Sequence, residues 1–388
     1  MSAVHYKMPP SLDKKLLEDA LQTRVAHFDV QQASSQGENF MGNLLRVHVE
    51  TEDAATYDIV IKLLPDMLLE SASYLRENLV YSDTLPRMEA LLRDVVPDLQ
   101  PFSPRHVYSR PGVLIMADLS PLGFRMADRH SGLDLDHCRL VISTIARFHA
   151  ASVALHEREP GSMDQYDKGV FSDPKSRESI MRFFSGMAHS LASEVETWPG
   201  FGEKYAHKLH RVADKMLDKL IAASERDNNK FNVLNHCDLW VNNVMFRYEG
   251  TAVAGVRLLD YQMVHFTSPA VDLQYFLNTS PQEDVRVNHT DLLLEEYHAT
   301  LCGTLRALGC TQHDFSLEEL SSEFDAKLAY GLFAVCVDLP ILVFDGEFDL
   351  GEALATGRNP GRVMFSSPSY KTTMQRLLPI FDEHGLLD

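Results

Sequence analysis

Residues 231–262 read FNVLNHCDLWVNNVMFRYEGTAVAGVRLLDYQ, and this island constrains the fold more than any other stretch. Two apolar runs, NVMFRY (243–248) and GVRLLD (255–260), flank EGTAVA, which predicts an antiparallel hairpin. In that pairing the start of the first strand lies beside the end of the second. Asn243 and Asp260 therefore become neighbours, and Asp238 sits on the turn just before them. Asp and Asn are poor strand residues and are costly to bury without partners. Three of them at one mouth either cap turns or hold something charged.

The chain around the island has two characters. The N-terminal third is strand-rich, with a strand predicted at 24–32, the turn-forming segment ASSQGENFMGN, and a hairpin of LLRVHVE (44–50) with YDIVIKLL (57–64). A helix follows through YLRENLVY and is interrupted near Pro86, where a second helix begins. GVLIMADL (112–119) is a further short strand. Beyond it, LDLDHCRLVISTIARFHAASVALHE has acids at its start and helical apolar spacing, and residues 175–228 are helical with a polar face. Apart from the island, helices continue to the C-terminus. The expected class is α+β, a bilobal protein-kinase-like fold with a strand-rich N-lobe (1–116) and a mostly helical C-lobe (117–388).

Size and composition fit that plan. A chain of 388 residues is long for one core, and 45% hydrophobic with 23% charged residues is an ordinary globular balance. A net charge of −19 argues against broad binding to nucleic acid or anionic membranes. The five cysteines are scattered without metal or redox spacing, as expected of reduced thiols in a cytoplasmic protein. The N-terminus lacks the apolar core of a secretory signal. LAYGLFAVCVDLPILVF, from Leu328, is broken by Asp338 and Pro340 and reads as a buried helix, not a membrane span. Nothing points to an obligate protein partner.

The island supplies the chemistry. His236-x-Asp238-x₄-Asn243, followed by the lone Asp260 after a strand, is the phosphotransfer layout of protein kinases and their relatives. Mg²⁺ takes one or two protein oxygens beside phosphates and waters, a need that Asn243 and Asp260 fit. Asp238 is then the carboxylate that accepts the proton of an attacking hydroxyl, and His236 braces the loop. The motif is short enough to arise by chance, and the bland reading is a set of turn caps. Its placement on a hairpin that returns the second aspartate favours chemistry.

The N-lobe offers a second test. Lys62 is the sole lysine in YDIVIKLL, and Glu77 lies in the helix after it, the order needed for a phosphate-holding lysine and its carboxylate partner. Singly, each is more simply a snorkelling lysine and a solvated helix face. In SSQGENFMG, Gly37 and Gly42 mark a candidate phosphate-covering loop, with Ser34 and Ser35 beside them. Asp272 either caps the helix it begins or fastens the Asp238 loop through backbone N–H groups. His149 reads as a satisfied core histidine.

VLNHCDLWVNNVMF, LLDYQMVHFTSPAVDLQYFL, ADLSPLGFRMADRHSGLDLDH, IARFHAAS and the closing GLLD together resemble the arthropod ecdysteroid-kinase-like (CHK-kinase-like) proteins of the choline kinase and aminoglycoside phosphotransferase superfamily. The resemblance covers nearly the whole chain. It implies ATP- and Mg²⁺-dependent phosphorylation of a small-molecule alcohol, an ecdysteroid or a hydroxylated xenobiotic. By that resemblance Asp238 is the base, Asn243 and Asp260 bind metal, Lys62 and Glu77 form the ion pair, and Met116, Ala117, Asp118 and Leu119 form the adenine-binding hinge. Members often carry Gly where this chain has Cys237, and Glu where it has Ala117. The competing expectation is a catalytically silent nucleotide-binding module that sequesters a hydrophobic ligand. No choline-type cation cage is locatable in the sequence, and the aromatic residues of MRFFSGMAHS and PILVFDGEF are better read as core than as pocket wall.

Overall fold

The computed structural model describes residues 12–33, 43–64, 72–172, 177–312 and 314–388. The N-terminal part holds α1 (Lys14–Leu21), β1 (Val25–Gln32), β2 (Asn43–Thr51), β3 (Thr56–Leu63), α2 (Ala72–Leu79), α3 (Leu85–Arg93), β4 (His106–Arg110) and β5 (Val113–Ala117). Its strands form one antiparallel sheet in the order β1-β2-β3-β5-β4. The sheet-rich N-terminal part and the helical remainder give the expected mixed α/β, kinase-like architecture.

Strand alternation explains how this sheet serves two purposes. Leu45, Val47, Val49, Ile59, Ile61, Leu63, Val113 and Ile115 point to one face and pack on Leu16 and Leu17 of α1. Each buried aliphatic side chain there contributes about 2 kcal/mol. Leu44, Arg46, Val60, Lys62 and Met116 occupy the alternate positions and line a cleft on the other face. Lys62 is thus aimed by register: Leu44 and Leu114 are its partners on the neighbouring strands. β4, an edge strand, was not expected from the sequence. No gap separates α2 from α3, contrary to the expected interruption: residues Val80–Thr84 form a π-helical turn, and Pro86 lies in the first turn of α3. Because the helix is continuous there, Pro86 leaves a carbonyl of the preceding turn without its N–H partner, and the wider π-helical turn is where the ladder is reset.

The remaining elements are β6 (Phe124–Met126), α4 (Leu135–Arg158), α5 (Arg177–Val195), α6 (His207–Ala213), α7 (Met216–Ser224), β7 (Val233–Asn235), β8 (Val244–Glu249), β9 (Ala252–Leu258), β10 (His265–Thr267), α8 (Ala270–Thr279), α9 (Glu283–Asn288), α10 (Thr290–Leu308), α11 (Leu317–Ala326), α12 (Leu328–Val343), α13 (Leu350–Thr356) and α14 (Pro368–Glu383). α4 is long and apolar enough for a membrane span by composition, but 78% of that window is buried inside the protein. α12 is the expected buried helix, and Pro340 lies within it. Phe183, Phe184 and Met187 are core residues, as expected of MRFFSGMAHS. All five cysteines are free and buried.

Two small ladders hold the island. β8 and β9 pair with Val244 opposite Leu258, as the hairpin reading requires, and β6 adds a third strand. β7 pairs with β10, Asn235 opposite His265. His265 is buried, its Nε2–H donates to the Asp167 carbonyl at 3.2 Å, and burial pushes its pKa down to about 4. An unfolded histidine titrates near 6.5, so the unfolded chain takes up a proton that the folded one refuses. Stability is therefore complete above about pH 6.5 and falls as pH drops toward 4, by up to about 3 kcal/mol from this residue. His265→Gln keeps a donor for Asp167 and is expected to flatten that acid limb, as read by denaturant unfolding between pH 4 and 7.

Candidate active site

Lys62 on β3 and Glu77 on α2 meet in the cleft, with Nζ 2.8 and 2.9 Å from the two carboxylate oxygens. Both are buried. Nζ also reaches Asp260 Oδ1 at 3.1 Å, across 198 residues of sequence. Burial opposes the charge of Lys62, but the Asp260 and Glu77 carboxylates raise its pKa and keep it an ammonium. Burial pushes Glu77 up to about 7 against the pull of Lys62. Neither the snorkelling lysine nor the solvated glutamate describes this pair.

The island closes the opposite side. The Asn243 carbonyl accepts from Leu259 N at 2.9 Å, which sets Asn243 beside the residue preceding Asp260. Asn243 Nδ2 donates to the Asp238 carbonyl at 2.9 Å and to Asp238 Oδ2 at 2.8 Å, so its amide oxygen is the atom left for the cleft. Tyr275 on α8 donates its hydroxyl to Asp238 Oδ1 at 3.0 Å. Burial, reinforced by the Asp260 carboxylate, pushes Asp238 up to about 7, while these two hydrogen bonds pull the other way. A carboxylate with a pKa near neutrality is suited to general-base work.

The loop bearing Asp238 is held from behind. Asp272 Oδ2 accepts the His236 N–H and Oδ1 the Cys237 N–H, each at 2.7 Å. Pro269, not Asp272, occupies the N-cap position of α8, so the loop-fastening role holds and the capping role does not. His149 Nε2 donates to Asp272 Oδ2 at 3.1 Å, and its Nδ1 accepts from Tyr297 at 2.6 Å, a fully satisfied core histidine. His236 Nε2 donates to the Leu259 carbonyl at 2.9 Å and braces the loop as expected. Burial lowers the pKa of His236, so the ring is neutral.

A cleft of about 450 Å³ is lined by Lys62, Glu77, Met116, Asp118, Leu119, Asn243 and Asp260, with Asp238 behind Asn243. Gly37, Gly42, Ser34 and Ser35 lie outside the described residues. At the hinge, the Ala117 and Asp118 N–H groups are taken by Arg105 and Asp58 carbonyls. The Leu119 N–H is the hinge donor without such a bond among the described residues. The Asp118 side chain is engaged by Arg46 from β2. Among the described residues no three His, Cys, Asp or Glu side chains form a closed metal cluster. The open pair of an amide oxygen and a carboxylate is instead the type of donor set that suits Mg²⁺ on phosphates.

Arg46, Tyr81 and Tyr275 are site residues that the sequence reading missed. Tyr81 lines the cleft and its hydroxyl accepts the Asp260 N–H at 3.4 Å. Tyr275 had a legible signal, since it follows Asp272 by one helical turn and so shares its face. Arg46 shares the face of Lys62 by strand alternation.

The loop geometry also explains the departure at residue 237. Cys237 has φ +62° and Asp260 φ +64°, both in the left-handed region. A side chain there costs about 1–3 kcal/mol, which glycine avoids. Cys237→Gly is expected to leave turnover intact and to stabilise the protein by up to about 1 kcal/mol, after some loss of buried contact. Cys237→Val, branched at Cβ, is expected to destabilise by about 2 kcal/mol. Thermal unfolding of the two variants beside the wild type checks both signs.

The profile of the ecdysteroid kinase-like family matches residues 36–310. No curated protein matches the chain in sequence. Solved structures similar in fold include an ethanolamine kinase of Plasmodium vivax, 13% identical, TM-score 0.42, covering 92% of this chain and 83% of that one. A putative aminoglycoside phosphotransferase of Ralstonia eutropha is 14% identical, TM-score 0.44, with 97% and 98% covered. A macrolide 2'-phosphotransferase of Brachybacterium faecium is 16% identical, TM-score 0.32, with 89% and 96% covered. Likeness at this level bears on neither substrate nor mechanism.

Proposed function

The chain belongs to the ecdysteroid kinase-like family, and on that premise we propose that it is an ATP-dependent small-molecule kinase acting on a hydroxyl of an ecdysteroid or a hydroxylated xenobiotic. The observation that carries this reading is the position of Asp238. Its carboxylate is held by Asn243 on one oxygen and Tyr275 on the other, beside a cleft whose far wall carries the Lys62–Glu77–Asp260 group.

In the proposed reaction the acceptor oxygen attacks the γ-phosphorus of ATP and forms a new P–O bond. The bond from that phosphorus to the β–γ bridging oxygen breaks, its electron pair leaves with ADP, and the hydroxyl proton passes to Asp238 Oδ1 or Oδ2. Lys62, fixed by Glu77, would hold phosphate oxygens, and the Leu119 N–H would be the donor available to the base of the nucleotide. Magnesium, held by the Asn243 amide oxygen and the Asp260 carboxylate, would supply neutralising charge on the phosphates. The Asp272 clamp keeps Asp238 in place, so most of the barrier reduction comes from positioning.

The test is mass spectrometry of a mixed library of steroid, phenolic and amino-alcohol compounds incubated with Mg²⁺–ATP and wild type or Asp238→Asn. Expected is one compound gaining a phosphate with the wild type, and a loss of at least about a hundredfold in Asp238→Asn, which is expected to remain folded. ATP binding without any phosphorylated product would turn the assignment toward the silent binding module.

A further inference from the structure

Asp260 stands in a backbone conformation that costs an aspartate free energy. Its φ and ψ are +64° and +72°, in the left-handed region, and a residue with a side chain stays there only where its surroundings hold it. Two contacts do so. Lys62 Nζ reaches the carboxylate at 3.1 Å, and the Tyr81 hydroxyl accepts the Asp260 N–H at 3.4 Å. The first grips the side chain and the second grips the main chain. Only the second is compatible with the reaction proposed above. Lys62 would there turn to phosphate oxygens and the Asp260 carboxylate to the metal, and their mutual contact would be given up. The Tyr81 bond competes with neither partner.

Tyr81 is itself firmly placed. It is buried at the wall of the cleft. Its ring meets that of Tyr261, the residue after Asp260, edge to face with centroids 5.3 Å apart. Tyr261 is in turn enclosed by the His236 and Phe148 rings at 4.7 and 5.8 Å. α2 packs along the short 3-10 turn Tyr261–Met263 that leaves Asp260. Tyr81 lies in the π-helical turn continuing α2, where the Leu85 N–H bonds back to the Val80 carbonyl. It follows Glu77 by one helical turn, and both side chains line the cleft. One helical segment thus carries the partner of Lys62 and the partner of the Asp260 main chain. The spacing between the two groups is set by a single element.

Building on the kinase reading, we infer that Tyr81 is a positioning residue for the metal-binding Asp260. Its hydroxyl holds the left-handed main chain in place when Lys62 releases the carboxylate. Without that hold the Asp260 backbone relaxes toward ordinary φ values and carries its carboxylate out of position. The loss therefore falls on the metal and not on the nucleotide.

Tyr81→Phe tests this, since it keeps the ring against Tyr261 and removes only the hydroxyl. Two affinities are measured with the β,γ-imido analogue of ATP. One is that of the analogue alone in the presence of chelator. The other is that of Mn²⁺ for the protein–analogue complex, read by the paramagnetic resonance of free Mn²⁺. Expected in Tyr81→Phe is an analogue affinity within about twofold of wild type and an Mn²⁺ affinity lower by about fivefold, the size of one lost hydrogen bond. Amide hydrogen exchange is the second readout, and its wild-type arm stands even if the variant does not fold. The Asp260 amide is expected to exchange slowly in the wild type and faster in Tyr81→Phe, with Leu258 and Leu259 unchanged. An unchanged Mn²⁺ affinity in the variant, or equal losses for analogue and Mn²⁺ as a merely structural role would give, overturns the inference. So does fast exchange of the Asp260 amide in the wild type. A wild type that takes up no Mn²⁺ with the analogue overturns the metal assignment and this inference together. If analogue and Mn²⁺ bind as expected but no alcohol is phosphorylated, the kinase reading alone has failed.

Discussion

The two hydrogen bonds from the His236 and Cys237 N–H groups to the Asp272 carboxylate are the constraint on which the rest of the site depends. All three residues are buried, so neither N–H has water as an alternative partner. The carboxylate is in turn oriented by His149, which is oriented by Tyr297. This chain of hydrogen bonds crosses from α10 through α4 to the Asp272 carboxylate on α8, which accepts from the backbone of one loop. Because Asp272 holds main chain and not side chain, it fixes where Asp238 emerges whatever occupies position 237. That is why the left-handed backbone at Cys237 persists without a glycine.

From that anchor the remaining geometry follows by short links. His236 is pinned by its own N–H and reaches the Leu259 carbonyl, so the loop before β8 and the loop after β9 move as one. The hairpin register places Asn243 beside Leu259, and Asp260 comes next, turned by its left-handed backbone toward Lys62. The contact between Lys62 and Asp260 joins the sheet-rich and helical parts across the cleft. The cation is held by two carboxylates, which keeps it charged in a buried place where an isolated ammonium would lose its proton.

The cleft side of this arrangement was legible in the sequence because it is built from local units. A period of two along β2 and β3 and a hairpin with one readable register were enough to bring Lys62, Asn243 and Asp260 into one cleft. Glu77 followed from order along the chain. Asp272 was ambiguous for a physical reason: an acid in the first turn of a helix looks the same in sequence whether it caps that helix or holds another loop. The π-helical turn at Val80–Thr84 was not legible, since a proline that ends one helix and a proline that starts the next carry the same letters. β4 was missed because an edge strand of half-buried residues has no alternation to read.

The contact between α8 and α12 resisted reading for a deeper reason. Tyr275 and Asp338 lie 63 residues apart on two helices, and no strand register or turn relates them. They are brought together only because the apolar face of α12 packs on α8, and that face is apolar almost all round. Hydrophobic periodicity therefore gives no rotation angle for α12, and the direction of Asp338 is set by packing alone. In sequence, the residue is a break in an apolar run. In the folded chain, its carboxyl lies near Tyr275, the donor to Asp238. Lys62, Asn243 and Asp260 are placed by strand register and a single hairpin, whereas Tyr275 is placed against Asp238 by the packing of helices.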